Sequence, residues 1–195
     1  MSQLQVPLFP LQTVLFPEGA LPLRVFEARY LDMVSDCLKR GASFGVCLIR
    51  NGREAGEAAA THEVGTLARI ADWHVGGDGL LNITAHGTDR FHIVSVAVRR
   101  DRLAVADVEL LEEEPQRPVP GRCRSLVDLL RRMFPASESL YEGLPRRFGD
   151  ARWVGWRLAE LLPLRLPQKQ YFLQITDPIQ RLERLVDLVD GLDPR

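Results

Sequence analysis

The chain has 195 residues, 46% of them hydrophobic, enough to bury the core of one ordinary domain or two small subdomains and too many for a chain dominated by disorder. Twenty-five basic against 26 acidic residues leave a formal charge of −1, which excludes the strongly basic balance of a generic nucleic-acid binder. Cys37, Cys47 and Cys123 lie far apart with no Cys-x-x-Cys pair, so neither a disulfide framework nor a zinc site is indicated, and buried free thiols are expected. With no apolar run long enough for a membrane span and no leader-like N-terminus, the expected residence is cytoplasmic.

The first thirty residues alternate short apolar runs with proline. Pro7, Pro10, Pro17 and Pro22 fix φ and lack an N–H, so they belong at strand ends, edges or bulges, and no long helix forms there. Tyr30, Leu31, Val34, Cys37 and Leu38 then recur at helical spacing with Gly41 as a stop, which predicts an amphipathic helix over Ala28 to Arg40. Ser43 to Ile49 reads as a strand, and Asn51 to Glu63 as a loop. Thr66 to Val75 and Leu80 to Ala85 are strand-like and flank Gly76-Gly77-Asp78-Gly79, whose glycines permit a tight hairpin. Phe91 to Val98 and Leu103 to Leu110 complete the strands, joined through Arg99-Arg100-Asp101-Arg102.

Glu112-Glu113-Glu114-Pro115-Gln116-Arg117-Pro118-Val119-Pro120 reads as an exposed linker, because three acids and three prolines suit solvent better than a packed element. The expected division is therefore a β-rich subdomain over 1–112, a linker over 113–120 and a helical bundle over 121–195. Cys123, Leu126, Val127, Leu130 and Phe134 mark one helix and Trp153, Trp156, Leu158, Leu161 and Leu162 a second, ended by Pro135 and Pro163. A short helix follows over Pro167 to Gln174. The last opens on Asp177-Pro178-Ile179-Gln180, with Asp at the N-cap and Pro at N1, and presents Leu182, Leu185, Val186 and Val189 on one face.

Several of these stretches resemble the substrate-recognition domain at the start of the ATP-dependent protease Lon. The Pro-Leu-Phe-Pro-Leu run stands at Pro7 to Leu11, and Leu-Pro-Leu-Arg-Val-Phe-Glu-x-Arg-Tyr at Leu21 to Tyr30. Phe44 to Ile49, Val64 to Ile70, Gly87 to Ile93 with Arg90-Phe91, and Leu158 to Leu164 follow in family order. The resemblance implies an α+β fold, an N-terminal PUA-like, mostly antiparallel β barrel with one helix followed by a C-terminal helical subdomain. It also implies recognition of unfolded or apolar polypeptide segments or of a partner protein. The family's ATPase and peptidase lie beyond this domain, so a free-standing recognition domain is expected.

Catalytic strings are absent from the sequence. An ATPase of that kind needs G-x-x-x-x-G-K-[ST] to cradle phosphates and hold magnesium, and no such string occurs. Lys39 and Lys169 are the only lysines, and neither has a serine in a recognisable catalytic sequence beside it. His62, His74, His86 and His92 lack the spacing that fixes a zinc pair. The expectation is a non-enzyme with no cofactor and no metal. Recognition chemistry points to Phe16 at a loop tip, to Arg24, Phe26, Arg29 and Tyr30 as the frame of a groove for an extended peptide, and to Phe91 rimmed by Arg90. The alternative is RNA binding. PUA-like folds include RNA readers, and ten Arg stand against five acids from Arg117 to Arg165, with Arg122, Arg124, Arg131, Arg132, Arg146 and Arg147 placed to meet phosphate.

Overall fold

Pro7 and Pro10 are accommodated because β1 (Leu4–Leu11) changes partner halfway along. Leu4 to Pro7 pair antiparallel with β7 and Leu8 to Leu11 pair parallel with β3, so each half is bonded on one side and tolerates a residue that cannot donate on the other. The computed structural model describes residues 4–54 and 59–192 and divides into two compact units, Met1–Glu112 and Glu113–Arg195. The first holds a seven-stranded, mostly antiparallel sheet and one helix; the second is helical.

Along the first unit, β2 (Ala20–Val25) leads into α1 (Ala28–Arg40), whose boundaries match the helical spacing of its apolar residues. Gly41 ends α1 in the left-handed conformation at φ 62°, with a neighbouring N–H, that of Ala42, donating to the Cys37 carbonyl. β3 (Phe44–Asn51) follows. The polar stretch after it contains a two-residue strand, β4 (Ala60–Thr61), paired with the end of β3, so it is not wholly loop, and its residues 55–58 lie outside the described residues. β5 (Val64–Val75), β6 (Leu81–Val98) and β7 (Ala104–Leu110) complete the sheet in the order β1-β7-β6-β5-β3-β4, with β2 on β6 and β1 also on β3.

β6 is one strand of 18 residues where the sequence suggested two. Gly87, which falls between the two expected strands, marks a close approach of backbone. Glu18 donates to the Gly87 carbonyl and Gly87 to the Gly19 carbonyl, each at 2.9 Å, and a Cβ on Gly87 would sit 2.3 Å from the Phe16 carbonyl oxygen.

The sheet alternates its side chains between two clusters. Phe9, Leu15, Phe44, Val46 and Ile83 pack with Tyr30, Met33 and Val34 of α1, while Val6, Leu8, Cys47, Leu67, Phe91, Ala106 and Val108 form a second cluster. Gly45 and Gly65 make room for Phe91, since a Cβ on either would lie within 2.8 Å of the end of its ring.

In the second unit, α2 (Arg124–Met133), α3 (Ala151–Leu161), α4 (Leu166–Gln174) and α5 (Pro178–Leu192) bury Leu130, Trp153, Trp156, Leu158, Phe172, Leu182 and Leu185. α2 stops at Met133, and Pro135 lies in the first turn of a 3₁₀ stretch over Phe134–Tyr141. Asp177 caps α5 as its sequence indicates, accepting from the N–H of Ile179 at 2.7 Å and of Gln180 at 3.2 Å.

The segment over 113–120 is exposed at most positions but is anchored at Glu114 and Arg117. Glu114 is buried against Arg181 of α5, which donates to its Oε2 at 2.8 Å, and the Arg117 carbonyl accepts from Ala151 at 2.8 Å. Arg181 accounts for the burial of Glu114. It is itself fully buried and donates to the Phe172 and Ile175 carbonyls, so it draws one acid of the run inside, and sequence proximity gives no sign of a partner 67 residues away.

Candidate functional site

Of the seven residues expected to contact a ligand, five belong to the interior. Phe16 is 0% exposed because its loop folds back onto β6 through the Gly87 and Gly19 backbone bonds, so a surface contact by its ring is ruled out without opening that loop. Phe91 is equally buried, in the second core cluster, and Arg90 beside it is buried rather than rimming a pocket. Tyr30 stacks on Phe9 with ring centroids 4.1 Å apart, and burial pushes its hydroxyl above the ordinary tyrosine range. Arg29 lies over the Tyr30 ring at 4.6 Å, donates to the Arg102 carbonyl at 2.9 Å and pairs with Glu27 at 3.0 Å. It ties the start of α1 to the β6–β7 turn and frames no groove.

Arg24 and Phe26 remain on the surface. Phe26 is 62% exposed, and Arg24 forms an ion pair with Asp78 in the turn between β5 and β6. Two residues outside the expected set join this end of the sheet: Trp73 is 54% and Val75 62% exposed. The register shows why they share a face. Val25 of β2, Leu81 of β6 and Val75 of β5 stand in one row, and Leu23, Ile83 and Trp73 in the next. These rows begin in the core at Val25 and Ile83 and emerge at β5, where β3 has stopped pairing beyond Ala68. The sequence carried only the shared face, not its exposure. Trp73 and Val75 keep the period-2 alternation of a buried face up to the glycine turn.

The turn is rigidly specified. Gly76 donates to the Leu80 carbonyl at 2.8 Å, Gly79 sits at φ 78°, and the Asp78 carboxylate accepts from the Leu80 N–H at 3.1 Å while also meeting Arg24. A charged pair thus stands at the apolar rows' end. Exposed on both sides, the pair adds little to stability.

Several arginines of the second unit are engaged with its own groups, while Arg124 and Arg132 are exposed. Arg122 pairs with Glu183, Arg131 with Asp128 at 3.9 Å and over the Phe148 ring at 5.5 Å, and Arg146 lies over Phe134 at 5.5 Å. Inside that unit Arg157 holds Glu160 at 3.0 Å, with the Tyr141 hydroxyl bonded to the same carboxylate and Lys169 donating to the Glu160 carbonyl at 2.6 Å. Burial raises the Glu160 carboxyl and the Tyr141 hydroxyl above their usual ranges and lowers the Lys169 ammonium. Among the described residues no three His, Cys, Asp or Glu are grouped to hold a metal ion, and no helix is long and apolar enough to cross a membrane.

A mostly antiparallel sheet unit followed by a helical unit is the fold of Lon N-terminal domains. It is shared, at 16% identity and a TM-score of 0.62, with the N-terminal domain of the Mycobacterium avium complex Lon protease, over 94% of this chain and 96% of that one. The Lon N-terminal domain protein from Xanthomonas campestris is nearer, at 41% identity and a TM-score of 0.80, with 94% of this chain and 98% of that chain covered. Residues 5–191 match the family described as the ATP-dependent protease La (LON) substrate-binding domain, and the chain belongs to it. The Lon protease of Xanthomonas oryzae pv. oryzae is 28% identical over 197 residues, which take in 96% of this chain and 23% of that protein. The chain thus spans about a quarter of that relative's length and aligns with its substrate-binding region.

Proposed function

We propose that the chain is a non-catalytic module that recognises exposed apolar segments of unfolded polypeptides or of a partner protein. Phe26, Trp73 and Val75 make the contact, and Arg24, held by Asp78, stands at its rim. The observation that carries this reading is the exposure of three large apolar side chains around the β2–β6–β5 rows in a member of a substrate-binding family. The reading needs no cofactor, and the same fold taken as a PUA-like barrel is supported by the pairing of β1 with both β3 and β7. Affinity comes from apolar area removed from water at about 25 cal/mol per Å².

Fluorescence anisotropy with a labelled apolar peptide tests this. Phe26→Ser combined with Trp73→Ser should weaken binding at least about tenfold, a loss of about 1.4 kcal/mol or more, with the melting temperature unchanged because both rings face solvent. ATP and unfolded casein should emerge unaltered from incubation with the protein. A structured RNA bound more tightly than the peptide, and released by Arg146→Ala with Arg147→Ala, would replace this reading with the nucleic-acid one.

A further inference from the structure

On its β5 side β6 is paired only as far as Ile93, whose N–H donates to the Glu63 carbonyl at 2.8 Å. Among the described residues, Ser95 to Val98 pair with β7 alone. At the mouth of that hairpin the Arg99 N–H donates to the Leu103 carbonyl. Antiparallel alternation then turns the N–H groups of Ala97 and Ser95 toward β7 and those of Val96 and Val98 outward.

Sheet edges are ordinarily blunted by proline, by charge or by covering. The β2 edge carries Pro22 and Arg24. The outer stretch of β5 carries Arg69 and Asp72, and the Trp73 N–H is taken by the Asp72 carboxylate at 2.8 Å. Val94-Ser95-Val96-Ala97-Val98 has neither proline nor charge.

One face beside this edge is apolar and the other is mixed, the row Gln5, Asp107, Ser95 lying next to an apolar one. On one, Val94, Val96 and Val98 are each about half exposed and extend the second core cluster, Val96 opposing Ala106 and Val98 opposing Ala104. On the other, the row Pro7, Val105, Ala97 crosses β1, β7 and β6 and borders an open groove of about 520 Å³ lined by Met33 and Cys37 of α1 together with the polar Asp36 and Arg40. A strand laid on β6 continues that row, so its side chains alternate between groove and valines.

We propose that this edge takes up an extended polypeptide segment by strand addition. The segment is an apolar-rich run, whose side chains meet the valines on one face and the Pro7, Val105, Ala97 row on the other, and it ends in an acidic residue near Arg100 of the β6–β7 turn, where Arg99 already pairs with Asp101 at 3.5 Å. This rests on reading the chain as a polypeptide-recognition module. It adds a second contact whose energy is backbone hydrogen bonding.

The probe is a labelled synthetic peptide of about ten residues, a Val-Ile-Leu run closed by aspartates. Two further versions carry N-methyl groups on alternate amides, in one phase or the other. Methylation in the phase that faces β6 should weaken binding about tenfold or more and the other phase should not, because only one set of amides reaches the edge. Val96→Pro should match that loss without changing the thermal midpoint, since the N–H it removes faces away from β7. If Val96→Pro unfolds the protein, the methylated pair still decides. Equal binding of both methylated peptides overturns the edge site; if Phe26→Ser with Trp73→Ser then abolishes binding, the recognition reading stands alone. Failure of the wild type to bind the parent peptide overturns both. A dimer that Val96→Pro dissociates, with peptide binding unaltered, overturns the proposal by showing that the edge pairs with a second copy.

Discussion

Gly87 and Cys47 show how closely single residues are held in the first unit. At Gly87 a methyl group meets backbone, the Phe16 carbonyl, at 2.3 Å, whereas at Gly65 it meets the Phe91 ring at 2.6 Å, the Val46 carbonyl at 2.6 Å and the Cys47 sulfur at 2.7 Å. Neither site can yield by rotating one flexible side chain. Gly87→Ala and Gly65→Ala should each cost about 1–3 kcal/mol or more, read as a lower urea midpoint, and Gly87→Ala should also loosen the Phe16 loop to proteolysis. Burial pushes the Cys47 thiol up to about 12 from an ordinary 9.0. The folded protein therefore keeps a proton that the unfolded chain gives up, and stability is lost as pH rises from about 9 through about 12, by up to roughly 4 kcal/mol for this group. Cys37, Cys123 and Tyr30 are raised as well and add slope of the same sign. Urea unfolding across that window should accordingly show a shallower alkaline decline in Cys47→Ala than in the wild type. The native Cys47 should also resist alkylation until the protein unfolds.

At the scale of elements, α5 and the 113–120 segment are joined by a charge pair with no access to water. Arg181→Met leaves the Glu114 carboxylate buried without its cation and should destabilise the protein by about 3–5 kcal/mol; adding Glu114→Gln should restore part of the loss, a difference that paired denaturation curves measure directly. This pair also marks the limit of what the sequence discloses. Helix α1, the glycine hairpin and the Asp177 cap were legible because each is fixed by residues within a few positions: a 3.6-residue apolar spacing, a positive φ, an N-cap followed by proline. Glu114, Phe16 and Gly87 were not, because their environments are supplied by distant partners. Phe16 in a Pro-Gly-bounded loop has the composition of an exposed tip, and only the backbone exchange with Gly87 turns it inward. Of the candidate site, Arg24 and Phe26 were legible and Trp73 and Val75 were not, since alternation shows which residues share a face but not where the covering layer ends.

For the molecule as a whole, charge is plentiful and partly neutralised where it stands, Arg122, Arg131 and Arg146 of the second unit being held by acids and rings of the same unit. Apolar burial releases no counterions, whereas several phosphate contacts lose affinity steeply with salt. Peptide affinity should therefore change less than about threefold between low and high salt, and Arg146→Ala with Arg147→Ala should leave it unaltered. A salt titration by anisotropy gives both results in one experiment.

The length of β6 has a further consequence. Ile83 and Ala85 belong to one core cluster and Phe91 to the other, so a single covalent strand is built into both, and neither cluster can open while the other keeps its share of that strand in register. The first unit should behave as one cooperative body, its β6 amides exchanging with deuterium only through global opening. Val96 and Val98 are the exception: their outward N–H groups should exchange quickly from within the slowest strand, a pattern that separates the fold's persistence from its availability to a passing chain.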